Sequence, residues 1–409
     1  MSATIDWHQR QRTIFLIASG ISTAGSFAGL TAKGWILMSG TQNAMLLALH
    51  FAALSLPTLL VSGPAGVRTD RIGCEKVLVQ AQWALLGAGL LGAMAIPLLT
   101  GAAQVIVLMT STLLMGIAGA YELTARNKYC ALLVEEPQQL APYLTSFSVV
   151  FNVGKLVGPP VGGWLVALTG PATALTLDAL SYLLPIASVI WLLKPNRAQE
   201  QRSSSQAASL LAAWNDCGPV LRHVLQFTAL ICVVGFFHPG LAPKIAFDTL
   251  GDKPTDLGLF TSVLAAGSIC GGIVLQRNSH RFSQRPARTL ACFGLITALA
   301  QLGMATGRGV SVVLLMAFLI GAGTAGLLSS ANLVTQVGSP QVIRGRMAGL
   351  SQIAFLGGGG LSGLLAAALA SSLGLSQTFA IAGGLGTVLA LWELWQRGNS
   401  QLPKPSAPH

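Results

Sequence analysis

Apolar runs of about twenty residues recur along the chain, each closed by a short polar stretch; crossing a hydrocarbon layer takes roughly that length of helix. The pattern predicts an all-α, polytopic membrane protein with twelve transmembrane helices, at approximately 13–37, 44–66, 77–99, 104–125, 143–168, 174–193, 223–245, 256–276, 289–307, 309–333, 346–372 and 377–396. Two of these runs are irregular. Lys33 intrudes into the first, and Pro239, Pro243 and Lys244 interrupt the seventh. The connections are short except for "KPNRAQEQRSSSQAASLLAAWNDCGPVLRH", which starts at Lys194. That segment predicts an N-terminal six-helix half over 1–193, a cytoplasmic linker over 194–222 and a C-terminal six-helix half over 223–409. Leu210, Leu211 and Trp214 give the linker a short apolar face suited to a helix lying on the membrane surface.

Composition agrees with this pattern. Of 409 residues, 52% are hydrophobic and 9% charged, far below the charge of about a quarter found in soluble domains. The 47 glycines and 19 prolines are tolerated in spanning helices, where neighbouring helices satisfy the backbone groups they release. With both termini placed in the cytoplasm, most of the 24 basic residues fall on the cytoplasmic face, leaving Lys33, Lys253 and Arg308 on the other. The net charge of +11 then reflects topology, and its spread over many loops gives no nucleic-acid-binding patch.

Several chemistries lack their residues. The six cysteines show no CxxC or Cys/His metal spacing, and none is placed for an extracellular disulfide. No metal or other cofactor is expected. Residues 1–12 are polar, so the first span is expected to serve as an uncleaved helix. There is no GxxxxGK[ST] for ATP and no catalytic constellation, so the chain does not read as an enzyme. Nor does it carry the charge rings of a channel. Trp35, Trp164, Trp191, Trp392 and Trp395 sit near predicted interfaces and suit an aromatic belt.

One stretch breaks the apolar rhythm: "SGPAGVRTDRIGCEKVLV", residues 62–79, between the second and third spans. Gly66 would let a helix end pack closely, and Gly73 would permit a positive φ in a tight turn. The pattern Gly66, Asp70, Arg71, Gly73, Lys76 resembles the loop motif of the major facilitator superfamily, with Cys74 and Glu75 in place of residues that are often basic. That resemblance implies a latch holding the two halves in one conformational state. "SFSVVFNVGKLVGPPVGGWLVALTG", residues 146–170, spaces Gly154, Gly158 and Gly162 by four and adds Pro159, Pro160 and Gly163. The spacing allows backbone-to-backbone helix contact, and the prolines open the hydrogen-bond ladder. It resembles the fifth-helix motif of exporters in the superfamily, which implies a hinge and seal; a packing seam silent on direction is the alternative.

Residues 125–163 and Arg344-Gly345-Arg346-Met347 are similar to the branch that includes the enterobactin exporter and macrolide-efflux proteins. The first helix of that branch often carries an acid where this chain has Ser26. Charges at bilayer depth face a cavity or a partner, and four are expected there. Glu122 precedes Arg126 by four residues, suited to an ion pair or to a proton site. Lys155, with Asn152 one turn away, suits substrate contact or gating, or pairing with Glu122 or Asp178. Asp178, with Tyr182 one turn on, suits a proton carrier or a hydrogen bond between helices. Lys244, with His238, flanks the broken stretch of span seven and suits a binding site or an outward-snorkelling cation.

The resemblance implies a secondary transporter that exports a small amphipathic molecule, a siderophore or a hydrophobic drug-like compound, by alternating access driven by the proton gradient. It also implies a monomer in the bilayer of a bacterial inner membrane. An importer, a lipid or lysolipid flippase and a non-transporting sensor on the same fold remain as alternatives.

Overall fold

The computed structural model describes residues 2–134, 137–191, 214–278, 284–307, 309–339 and 344–397. Among them the chain forms helices and no strand. In order these are α1 Ser2–Thr41, α2 Ala44–Ile72, α3 Cys74–Leu98, α4 Gly101–Leu132, α5 Pro137–Thr169, α6 Pro171–Ser181 and α7 Leu183–Trp191. The second set is α8 Pro219–Gly235, α9 His238–Thr249, α10 Pro254–Arg277, α11 Pro286–Thr306, α12 Val310–Val337, α13 Arg344–Leu373 and α14 Leu375–Arg397. Among the described residues 11 helical stretches are long and apolar enough to cross a membrane, with α6–α7 counted as one stretch and α8–α9 as another. The 33-residue α5 completes a set of twelve. Most of the proposed linker, including Leu210 and Leu211, lies outside the described residues.

Proline chemistry explains both divided spans. Within an α-helix, Pro185 would owe its N–H to the Ser181 carbonyl, but it has no N–H. The helix accordingly stops at Ser181, and the Tyr182 N–H turns back to Ala179 O at 3.3 Å. In span seven Pro239 likewise leaves the Gly235 carbonyl unpaired. Gln301 of α11 satisfies it, donating through Nε2 at 2.7 Å. A broken helix at bilayer depth needs such a donor, because lipid offers none.

Two compact units emerge: Met1–Gln42, Ala53–Ala207 and Lys253–Gly258 form one, and Asn43–Ala52, Ala208–Asp252 and Leu259–His409 the other. In the first unit, a methyl group at Gly158 would stand 2.6 Å from Ala24 O and at Gly154 2.8 Å from Gly20 O, so α1 and α5 meet backbone to backbone. There too, Gly116 of α4 presses on the Ala53 carbonyl of α2, and Gly89 of α3 on Ala179 of α6. The second unit repeats the scheme. Gly358 of α13 sits on Ala229 and Cys232 of α8, Gly321 of α12 on the Leu264 carbonyl of α10, and Gly383 of α14 on the Ala298 carbonyl of α11. First helix on fifth, second on fourth and third on sixth recur, the packing trace of a duplicated six-helix plan.

Large apolar side chains also cover the outside: Leu60, Leu168, Trp191 and Trp395 are mostly exposed, as lipid-facing positions require. Trp35 departs from the expected aromatic belt. It is buried among the helices rather than placed at an interface.

Candidate functional site

The deepest polar cluster of the first unit forms where α1, α3, α4 and α6 converge. Lys33 was expected on the outer face, yet it is only 1% exposed. Its position inside α1 shields the ammonium from bulk water, and small neighbours make room for it. A methyl group at Gly92 of α3 would lie 3.2 Å from its Nζ. The ammonium donates to Ser111 Oγ at 2.7 Å and points at Met115 Sδ at 3.1 Å, both on α4. Ser111 passes its own proton to Ala88 O at 2.6 Å, so its lone pairs remain free for the lysine.

Asp178 enters the cluster from α6 and is 2% exposed. Its carboxylate rests on the backbone of Gly29 in α1, where any side chain would collide with Oδ2. Neither carboxylate oxygen has a well-formed hydrogen bond. The Tyr182 hydroxyl approaches it only as a weak, poorly aligned hydrogen-bond donor, and its short bond goes to Ser26 Oγ at 2.8 Å. Lys33 is the opposite charge that acts on Asp178, yet the two make no direct salt bridge.

The second buried charge pair of this unit is ordinary by comparison. Arg126 Nη1 donates to Glu122 Oε1 at 2.7 Å, Gln82 Nε2 donates to the same oxygen at 3.2 Å, and the guanidinium lies 5.3 Å from the Phe147 ring. Lys155 is therefore not the cation on Glu122. It stands over Phe27 of α1, 5.9 Å from the ring centre. The Asn152 side chain lies outside the described residues.

The charged stretch at 62–79 is more helical than a loop would be. α2 runs on through Ile72, and Gly73 alone, at φ 92°, separates it from α3. Asp70 accepts from Lys128 Nζ of α4 at 2.8 Å, and Arg68 donates to Gln80 Oε1 at 3.1 Å, while Arg71 and Lys76 are exposed. Gly66 departs from its expected packing role, since nothing lies within 4 Å of where a methyl group would stand.

Of the proposed hinge glycines, Gly154, Gly158 and Gly162 form the seam on α1, and Gly163 meets the backbone of Gly258 within the same unit. Pro159 lies inside a continuous α5. Lys244 pairs with Asp248 on its own helix at 2.8 Å, and His238 is buried with its ring 4.9 Å from Phe236.

Sequence reasoning missed two groups. Lys33 was readable only as an intrusion, although a lone cation so deep in an apolar run was itself a signal. The other is a pair in the second unit, where His223 Nε2 of α8 lies 2.8 and 3.0 Å from the two carboxylate oxygens of Glu393 on α14. Glu393, inside an apolar run, carried the same signal. Among the described residues, no group of three or more His, Cys, Asp or Glu could hold a metal ion.

The family described as transmembrane secretion effector matches the chain over residues 7–404. The multidrug efflux pump Tap of Mycobacterium tuberculosis is 26% identical over 387 residues, covering 90% of this chain and 88% of that protein. The staphyloferrin A transporter of Staphylococcus aureus is 21% identical, covering 64% and 66%. A crystal structure of a D-xylose–proton symporter superposes with a TM-score of 0.76 at 15% identity, covering 94% of this chain and 97% of that one. At that identity the likeness speaks for the fold alone.

Proposed function

The chain belongs to the transmembrane secretion effector family of the major facilitator superfamily, and from that premise we propose that it exports a small amphipathic molecule by alternating access. The likeness to a multidrug efflux pump along 90% of the chain carries this reading. A siderophore or a hydrophobic drug-like compound is the cargo we favour, the first in keeping with the staphyloferrin A transporter among its relatives. Inward proton flow supplies the energy in this reading. The protein sits in a bacterial inner membrane as a monomer with both termini in the cytoplasm. In this reading the chain is organised as two six-helix halves, at 1–193 and 223–409.

Within that cycle the motif around Gly66, Asp70, Arg71, Gly73 and Lys76 is the latch. Its Asp70–Lys128 pair is part-exposed, the kind of contact that breaks at little cost. The α5 residues Gly154, Gly158, Pro159, Gly162 and Gly163 serve as hinge and seal in this reading, because Gly154, Gly158 and Gly162 let α1 slide against α5 without side chains catching.

The test compares medium and cell extract by mass spectrometry in strains with and without the protein, iron-limited and iron-replete, alongside a drug-susceptibility panel. Export predicts that a chelator or drug accumulates inside cells lacking the protein, and that Asp70→Asn reproduces the loss. Equal levels of every compound in both strains would refute it.

A further inference from the structure

The first unit holds two buried acid–base pairs whose geometries differ in kind. Glu122 and Arg126 touch at 2.7 Å, and Gln82 supports the carboxylate. That is how a permanent charge pair is satisfied away from water. Lys33 and Asp178 are as deeply buried and have the opposite charges needed for a bridge, yet they do not form one. The lysine spends its hydrogen bonds on two neutral acceptors, Ser111 and Met115. The carboxylate lies on bare helix backbone at Gly29 with neither oxygen well hydrogen-bonded. A carboxylate that stayed ionised throughout would suffer the desolvation penalty without the contacts that offset it. A group that alternates between acid and carboxylate needs such half-satisfied surroundings, since full satisfaction of either form would trap it.

Position agrees. Lys33 lies eight residues before the α1 terminus at Thr41 (41 − 33), and Asp178 seven after the α6 start at Pro171 (178 − 171). At 1.5 Å rise per residue both are about 10–12 Å inside the same end of the unit, shielded from bulk water but within a short step of it. The titratable groups acting on Asp178 are Lys33 from α1 and Tyr182 on its own span; Glu122 from α4 acts in turn on Tyr182. On Lys33 the acting charge is Asp178. The Tyr182 and Ser26 hydroxyls, 2.8 Å apart, extend the polar track away from the cluster.

We propose that Asp178 is the site where the transported proton binds and leaves, with Lys33 as the fixed counter-charge that discharges it. The proton adds to a carboxylate oxygen of Asp178 to give the carboxylic acid. On release the proton departs, and the carboxylate is left opposite the Lys33 ammonium, with no other bond made or broken. Ser111 is a positioning residue that holds the ammonium at its distance. The proposal rests on the export reading for its place in a transport cycle, though the titration itself does not.

The first measurement needs no substrate. Infrared difference spectra of the full-length protein in lipid, titrated in pH, follow the carbonyl stretch of a protonated carboxylic acid. Asp178→Asn is expected to remove one such band, and Lys33→Met to move its midpoint upward by ~1–3 pH units, because an opposite charge favours the ionised form. Ser111→Ala moves the midpoint without removing the band. An unchanged spectrum in Asp178→Asn, or an unmoved midpoint in Lys33→Met, overturns the proposal.

The second measurement uses proteoliposomes and ethidium as the probe. Asp178→Asn should keep ethidium exchange between equal concentrations while losing uptake driven by a pH gradient. Loss of both in Asp178→Asn shows a structural role and overturns the proposal, as does survival of gradient-driven uptake. If ethidium and the chelator both fail to move through wild-type protein while the band titrates as expected, the export reading fails and the proton site stands.

Discussion

Replacing Gly158 with alanine tests the helix seam most sharply. The added methyl would lie 2.6 Å from Ala24 O, 2.6 Å from the Phe27 Cβ and 3.2 Å from Ala28 N. Two of these three are backbone atoms of α1, which cannot turn aside as a side-chain end can. Carbon–carbon contacts are comfortable at about 3.5–4.0 Å, so the helices must part by roughly 0.9 Å at this point. A gap of 0.5–1 Å forfeits about a quarter to a half of the dispersion well, and the loss spreads to Gly154 and Gly162 on the same seam. Overpacking of this kind costs about 1–3 kcal/mol. Gly119 on α4 is the control, because its methyl would meet nothing within 4 Å. There alanine relieves the helix of a glycine and should stabilise by about 0.5–1 kcal/mol. The two variants should therefore unfold on opposite sides of wild type, roughly 1.5–4 kcal/mol apart when the two effects are combined. Thermal and denaturant unfolding of the purified protein in one detergent reads this directly. If Gly158→Ala unfolds at or above Gly119→Ala, the backbone seam is not what holds α1 to α5.

Four further outcomes follow from individual contacts. Gly73→Ala places a side chain at φ 92°, where L residues are strained, and should lower stability by about 1–3 kcal/mol in the same unfolding assay. Gln301→Leu leaves the Gly235 carbonyl without its donor, so a loss of about 1–3 kcal/mol is expected, with faster hydrogen exchange around Phe236 as the local readout. Glu122→Ala strands the Arg126 guanidinium inside the unit and should cost about 3–5 kcal/mol; a near-neutral result would mean that the pair is hydrated. Lys128→Met removes a part-exposed ion pair worth no more than about 1 kcal/mol. Its stability should hardly change, while ethidium efflux from cells falls if Asp70 acts as the latch; unaltered efflux with Lys128→Met would separate Lys128 from that role.

Much of this molecule was legible from local pattern. Twenty-residue apolar runs announce spanning helices because the bilayer's thickness sets their length, and the prolines of the seventh span mark where it divides. Gly73 announced its positive φ, since a one-residue junction between two helices leaves few alternatives. The i,i+4 spacing offered a Glu122–Arg126 ion pair as one of two readings, and that pair forms. All of these follow from chemistry within one turn or one span.

What lay beyond the sequence depends on which helix faces which. Lys33 looked like an exposed cation at a helix end until α3, α4 and α6 closed around it. Asp178 had several candidate partners, and only packing set its carboxylate on Gly29 and left it short of Lys33. Gly66 sits in a recognisable motif but packs on nothing, because a motif does not record the neighbour. His223 and Glu393, at opposite ends of the second unit's sequence, meet only after α8 and α14 come together. The periodicity of a chain determines its helices, since backbone hydrogen bonds in lipid must close locally. Which buried charges are paired and which are held apart is decided by side-chain geometry between helices remote in sequence, and only the assembled unit settles it.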